Sequence, residues 1–174
     1  MIDITLLESS TPTSQSDSHV QRDAESIANP SHEFALALKF YYGEGVDKDL
    51  KRAVELFTSA SNQGHSGAQN SLGYCYKIGE GVEKNWEKAV ELYSAAAIQG
   101  DPGAQYNLAY CCQKGEGVGK DCEKAVKLFT AAANQGHSGA QSNLGYCYEN
   151  GEGVEKNLAK AAQWCQSRSF CSAI

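Results

Sequence analysis

The stretch GEGVEKNWEKAVELY, Gly79 to Tyr93, opens on two glycines one residue apart and runs into an amphipathic segment. Such a pair suits a phosphate-binding loop, where backbone amides approach a ligand. It suits equally a sharp turn between helices, where the chain needs a left-handed residue. The rest of the chain decides between them. GEGV begins at Gly43, Gly79, Gly115 and Gly151, a step of 36 each time. Other features keep that step. QG falls at Gln63, Gln99 and Gln135, and AQ at Ala68, Ala104 and Ala140. LGYCY, LAYCC and LGYCY start at Leu72, Leu108 and Leu144. Many positions obeying one period in this range mark a stacked repeat architecture.

Each unit reads as two helices. In the first, Ala68, Leu72, Cys75 and Tyr76 share a face at helical spacing, and Gly73 leaves room for a neighbouring backbone. The second runs through WEKAVELYSAAAIQG, with Ala89, Leu92, Tyr93 and Ala96 as its buried stripe. Asp49, Asn85, Asp121 and Asn157 stand one per repeat as N-caps, whose side chains accept from the free amides of the first turn. Gly64, Gly100 and Gly136 suit the left-handed residue that ends a helix. Asn29-Pro30 and Asp101-Pro102 each supply a cap followed by proline at the first helical position. The glycine pair is therefore a turn, with Val82 as its apolar plug. A phosphate loop fails on spacing around Gly119-Lys120, because Lys114 and Asp121 stand where glycine and a hydroxyl residue are required.

These residues resemble the Sel1-like repeat family, a relative of the tetratricopeptide repeat. The family pattern is Ala-x-x-x-Leu-Gly-x-x-Tyr-x-x-Gly-x-Gly-Val, then an acid or amide, then Lys-Ala and a closing alanine pair. It falls here on Ala68, Leu72, Gly73, Tyr76, Gly79, Gly81, Val82, Asn85, Lys88, Ala89, Ala96 and Ala97. The resemblance covers residues 29–170 as four repeats. The first repeat has Ala37 for the glycine, and the last lacks the alanine pair and Gln-Gly. The resemblance implies an all-α, right-handed α/α superhelical solenoid of helix-turn-helix repeats, with the first helix of each pair lining the concave side. It also implies an adaptor: a non-catalytic scaffold that binds another protein or peptide.

Composition bounds the partner. A net charge of −6 argues against nucleic acid, which calls for a basic stripe. No segment approaches the roughly 20 apolar residues of a membrane span. No signal peptide is visible. Seven cysteines, an odd number without a Cys-x-x-Cys pair, point to free thiols in a reducing, cytoplasmic setting. Residues 1–28, rich in Ser, Thr, Asp and Gln, read as disordered, with VQRDAESIA as a decayed capping helix. The tail 171–174, CSAI, loosely fits a prenylation box at Cys171, without the polybasic run that usually precedes one.

A helix turns about 100° per residue, so a face opposite the core is countable. It carries Asn70, Tyr74 and Lys77, then Tyr106, Tyr110 and Gln113, then Ser142, Tyr146 and Glu149. Leu38 and Tyr41 take the matching places in the first repeat. Tyr74, Tyr110 and Tyr146 thus form a column whose flanking residues vary. Tyrosine offers broad apolar area and a hydroxyl at little entropic cost, which suits an interface. The other reading of the column is sideways packing between repeats. Glu44, Glu80, Glu116 and Glu152 form an acidic row, read as solvated or as a site for a basic partner.

No catalytic set, cofactor or metal site emerges. Cys75, Cys111 and Cys147 repeat on helices about 8–10 Å apart, farther than the roughly 7 Å a disulfide spans, and read as small buried hydrophobes. His19, His32, His65 and His137 are too scattered for a metal. Two alternatives stand: a β-lactam-binding enzyme like those of the family's cysteine-rich branch, and a regulatory fragment of a larger signalling protein such as a kinase.

Overall fold

The structure, a computed structural model, describes residues 29–166. The expected N-terminal segment, its capping helix and the Cys171 box lie outside the described residues. Those described form eight helices and no strand. They are α1 (Pro30–Tyr42), α2 (Leu50–Asn62), α3 (Ser66–Ile78), α4 (Trp86–Ile98), α5 (Pro102–Lys114), α6 (Cys122–Asn134), α7 (Ser138–Asn150) and α8 (Leu158–Gln166). Each helix packs on the one before and the one after it, most extensively within a hairpin. This is the α/α solenoid the period predicts.

Local chemistry sets the helix ends. Asp49, Asn85, Asp121 and Asn157 accept from the backbone amides of Arg52, Lys88, Lys124 and Lys160 at 2.9–3.0 Å. Asn29 and Asp101 cap α1 and α5 ahead of their prolines. The second glycine of each GEGV does more than turn the chain. At Gly117, φ is +69° and an added Cβ would lie 2.5 Å from the Trp86 carbonyl oxygen of the preceding repeat. Gly81 and Gly153 bear on the Leu50 and Cys122 carbonyls in the same way. Gly45, in the first repeat, has nothing near its α-carbon.

The interior is built largely from alanines and one ring in each of the first three repeats: Phe57, Tyr93 and Phe129, all essentially buried. Gly73 corrects an expectation. The space it leaves admits chiefly the Tyr93 ring of its own repeat, with an added Cβ 2.8 Å from Tyr93 Cε1. Ala37 and Ala109 hold the matching place in repeats whose ring is phenylalanine. The Tyr93 hydroxyl is buried without a hydrogen-bond partner, which costs about 1–3 kcal/mol of desolvation. Tyr93→Phe is therefore expected to raise stability by about 1 kcal/mol in urea unfolding. An unchanged or lower midpoint would mean the hydroxyl has a partner.

The two ends of the stack differ. In α1, His32 and Lys39 stand exposed where inner repeats bury Ala68 and Cys75. In α8, Leu158 is 62% exposed and Ala162 is also open.

Candidate partner-binding face

The first helices α3, α5 and α7 present the tyrosine column, and α1 carries Leu38 and Tyr41 at the matching places. Tyr74 is 43% exposed and Tyr146 is 50% exposed. Tyr110 is half-buried beneath Lys77, whose Nζ lies 4.7 Å from the ring centroid. Asn70 accepts from Asn107 Nδ2 at 2.9 Å, and Ser142 donates to the Ser138 carbonyl. Glu149 is exposed. Gln113 and Tyr106 are drawn into the seams between repeats. Gln113 is buried and donates to Glu152 at 3.0 Å. Tyr106 stacks on His137 with ring centroids 4.6 Å apart and tilts against Phe129 at 5.9 Å.

Two recesses open on this face, at matching seams two repeats apart. The first, of about 260 Å³, lies between repeats one and two, and Leu38, Tyr41, Tyr42, Phe57 and Tyr74 supply its apolar wall. Asn70, Ser71 and Asn107 line it with polar groups. The last, of about 230 Å³, lies between repeats three and four and takes Tyr110, Gln113, Lys114, Asn143, Tyr146 and Glu152. At the middle seam the corresponding place holds Lys77 over Tyr110.

The acidic row is corrected. Glu80 and Glu152 are not simply solvated: each reaches back one repeat to accept a hydrogen bond. Tyr41 donates to Glu80 at 2.5 Å, as Gln113 does to Glu152. Burial, then the bond to Glu80, pushes the Tyr41 phenol well above the ordinary tyrosine range. Glu116 Oε2, at the seam where Lys77 replaces that donor, is buried with no hydrogen-bond partner. Glu44 alone is exposed.

Two further staples escaped the sequence reading. His65 and His137 are N-caps, their Nδ1 atoms accepting from Ala68 and Ala140 amides at 3.1 and 3.2 Å. Asp101 does the same job in repeat three, so the 36-residue step itself marked the role. The QG and AQ glutamines pair: Gln99 donates to Gln69 at 2.8 Å and Gln135 to Gln105 at 2.9 Å. Gln69 and Gln105 then donate to carbonyls of the previous second helix.

Cys75, Cys111, Cys112, Cys122 and Cys147 are free thiols. Burial pushes Cys75, Cys111 and Cys147 up to about 11 from an ordinary 9.0. The folded chain therefore keeps these protons where the unfolded chain has lost them. Their contribution is complete below the ordinary thiol value and falls as pH rises from there toward 11. The melting temperature is expected to fall between about pH 8 and pH 10.5, less steeply in a Cys75→Ala/Cys111→Ala/Cys147→Ala variant. Equal slopes would remove the thiols as the cause.

Among the described residues no group of three or more His, Cys, Asp or Glu could hold a metal, and no helix is long and apolar enough to cross a membrane.

Comparison with known proteins agrees with this architecture. The Sel1 repeat model matches residues 33–65, 66–101, 102–137 and 138–167. A protective antigen of uropathogenic Escherichia coli strains, displaying an SLR fold, is similar at 34% identity and TM-score 0.78 over 86% of this chain and 32% of that one. A Sel1 repeat protein of Oxalobacter formigenes is similar at 31% identity and TM-score 0.78 over 82% of this chain and 58% of its own. Helicobacter pylori cysteine rich protein B is similar at 25% identity and TM-score 0.56 over 74% of this chain and 95% of its own. The chain thus spans about a third and somewhat over half of the first two. No curated protein matches it. Such repeats are generally non-catalytic, protein-interaction scaffolds. With four matched units running from residue 33 to 167, the chain belongs to the Sel1 repeat family.

Proposed function

We propose that the chain is an adaptor module that binds another protein or peptide on the face of its first helices, the concave side of the solenoid, inside a reducing compartment. One observation carries the reading: Tyr74 and Tyr146 stand exposed beside two recesses on that face. Exposed tyrosines next to a cleft are what a partner-binding surface needs, since they give area and a hydrogen-bonding tip without ordering cost. Free, buried thiols support the reducing setting.

The test is a Tyr74→Ala/Tyr146→Ala variant, which spares half-covered Tyr110. Partners retained by the wild type are expected to bind at least about tenfold more weakly. The melting temperature is expected to stay within about 3 °C, because exposed side chains contribute little to stability. Undiminished binding, or a melting temperature that collapses with it, would return these tyrosines to a packing role.

A further inference from the structure

The three seams of the first-helix face are variations on one design, and their differences specify a ligand. At the middle seam the chain fills its own cup: the Lys77 ammonium lies 4.7 Å from the Tyr110 centroid and 5.8 Å from that of Trp86. It does so although Glu116, with a buried and unpartnered carboxylate oxygen, sits at the same seam. A tyrosine face attracts a cation through its negative quadrupole, and the attraction grows as water is excluded.

At the last seam the residue matching Lys77 is Gln113, which is spent on Glu152. The ring matching Tyr110 is Tyr146, half exposed, with no cation of the described residues over it. Lys114 lines the recess, yet its Nζ lies over Tyr110 at 5.9 Å. The exposed carboxylate of Glu149 follows Tyr146 by one helical turn, and Glu152 lines the recess. An open ring whose recess is lined by the Glu152 carboxylate, with the exposed Glu149 one turn further along the same helix, complements a cation. At the first seam the glutamate is likewise held, by Tyr41, and the difference is the wall, which is Leu38, Tyr42 and Tyr74 over Phe57. That cup complements an uncharged apolar side chain. Its rim amides, Asn70 and Asn107, bond to each other and keep further donor and acceptor positions for a backbone.

Helices in contact lie about 10 Å apart, so two repeats separate the recesses by about 20 Å. An extended chain rises about 3.3 Å per residue, which makes that span about six residues. Resting on the adaptor reading above, we propose that this face takes an extended peptide with two anchors, a large aliphatic or aromatic side chain in the first recess and a lysine or arginine laid over Tyr146 in the last, about six residues apart.

A random dodecamer library displayed on phage, panned against the full chain, tests this. The expected result is enrichment of peptides carrying an apolar and a basic residue about six positions apart. Their binding falls about tenfold in Tyr74→Ala and in Tyr146→Ala. It also falls in Gln113→Lys, which rebuilds the Lys77 arrangement and covers Tyr146 from within. The melting temperature of Gln113→Lys serves as its folding control, and Glu149→Lys gives a second, exposed variant that must weaken the same peptides. Enriched peptides that need Tyr74 and Tyr146 but carry no basic residue, or that bind Gln113→Lys and Glu149→Lys at full strength, would overturn the two-anchor ligand and leave the adaptor face standing. No enrichment, or binding indifferent to both tyrosines, would overturn both.

Discussion

Gly117→Ala is expected to lower stability by about 4 kcal/mol, while Gly45→Ala costs only about 1 kcal/mol. Both residues sit in the left-handed region, at φ +69° and +74°, so both variants bear the same backbone cost. The contacts differ. A Cβ at Gly117 would meet the Trp86 carbonyl carbon and oxygen at 2.6 and 2.5 Å, whereas Gly45 has open space. Backbone cannot swing aside as a side chain can, so repeats two and three must separate to admit one methyl group. Urea midpoints of the two variants, measured together, isolate the seam from the turn. A difference under about 1 kcal/mol would show that the seam yields without loss.

Phe129→Ala is the second large effect, expected at about 4 kcal/mol and about 12 °C in melting temperature. The ring is fully buried and touches Tyr106, which in turn stacks on His137. Deleting it leaves a cavity and loosens the ring that steadies the cap of α7. Calorimetry would read the loss. His137→Asp in the same background then separates cavity from cap, since Asp101 shows that aspartate caps this position. A Phe129→Ala loss below about 1.5 kcal/mol would mean that the alanine-rich interior closes around the gap.

The hairpins were legible because their signals are local. Asp49, Asn85 and Asp121 act within three residues of themselves, and a left-handed glycine turns the chain whatever lies beyond it. The seams were not, because each joins residues 30 to 39 apart whose heights along neighbouring helices no angular count supplies. Tyr106 and Tyr110 show the limit. Four residues apart, they point to nearly the same side of α5, about 40° apart by helical arithmetic. Yet one stacks on His137 and the other lies under Lys77, because their neighbours at those two heights differ. Glu80 was misread for the same reason: its acceptor role exists only once Tyr41 is overhead. The tyrosine column itself was countable, since exposure opposite a buried stripe follows from periodicity alone.

Every seam is made chiefly by the two hairpins it joins, and the glycine bearing that locks it is common to all three. What varies is the short set of side chains above the bearing: Tyr41 with Glu80, Lys77 with Tyr110, Gln113 with Glu152. The protein thus writes its surface in modular words on an unchanging grammar. Shuffling, duplicating or deleting whole units would rewrite the message while the script stays readable to the folding chain.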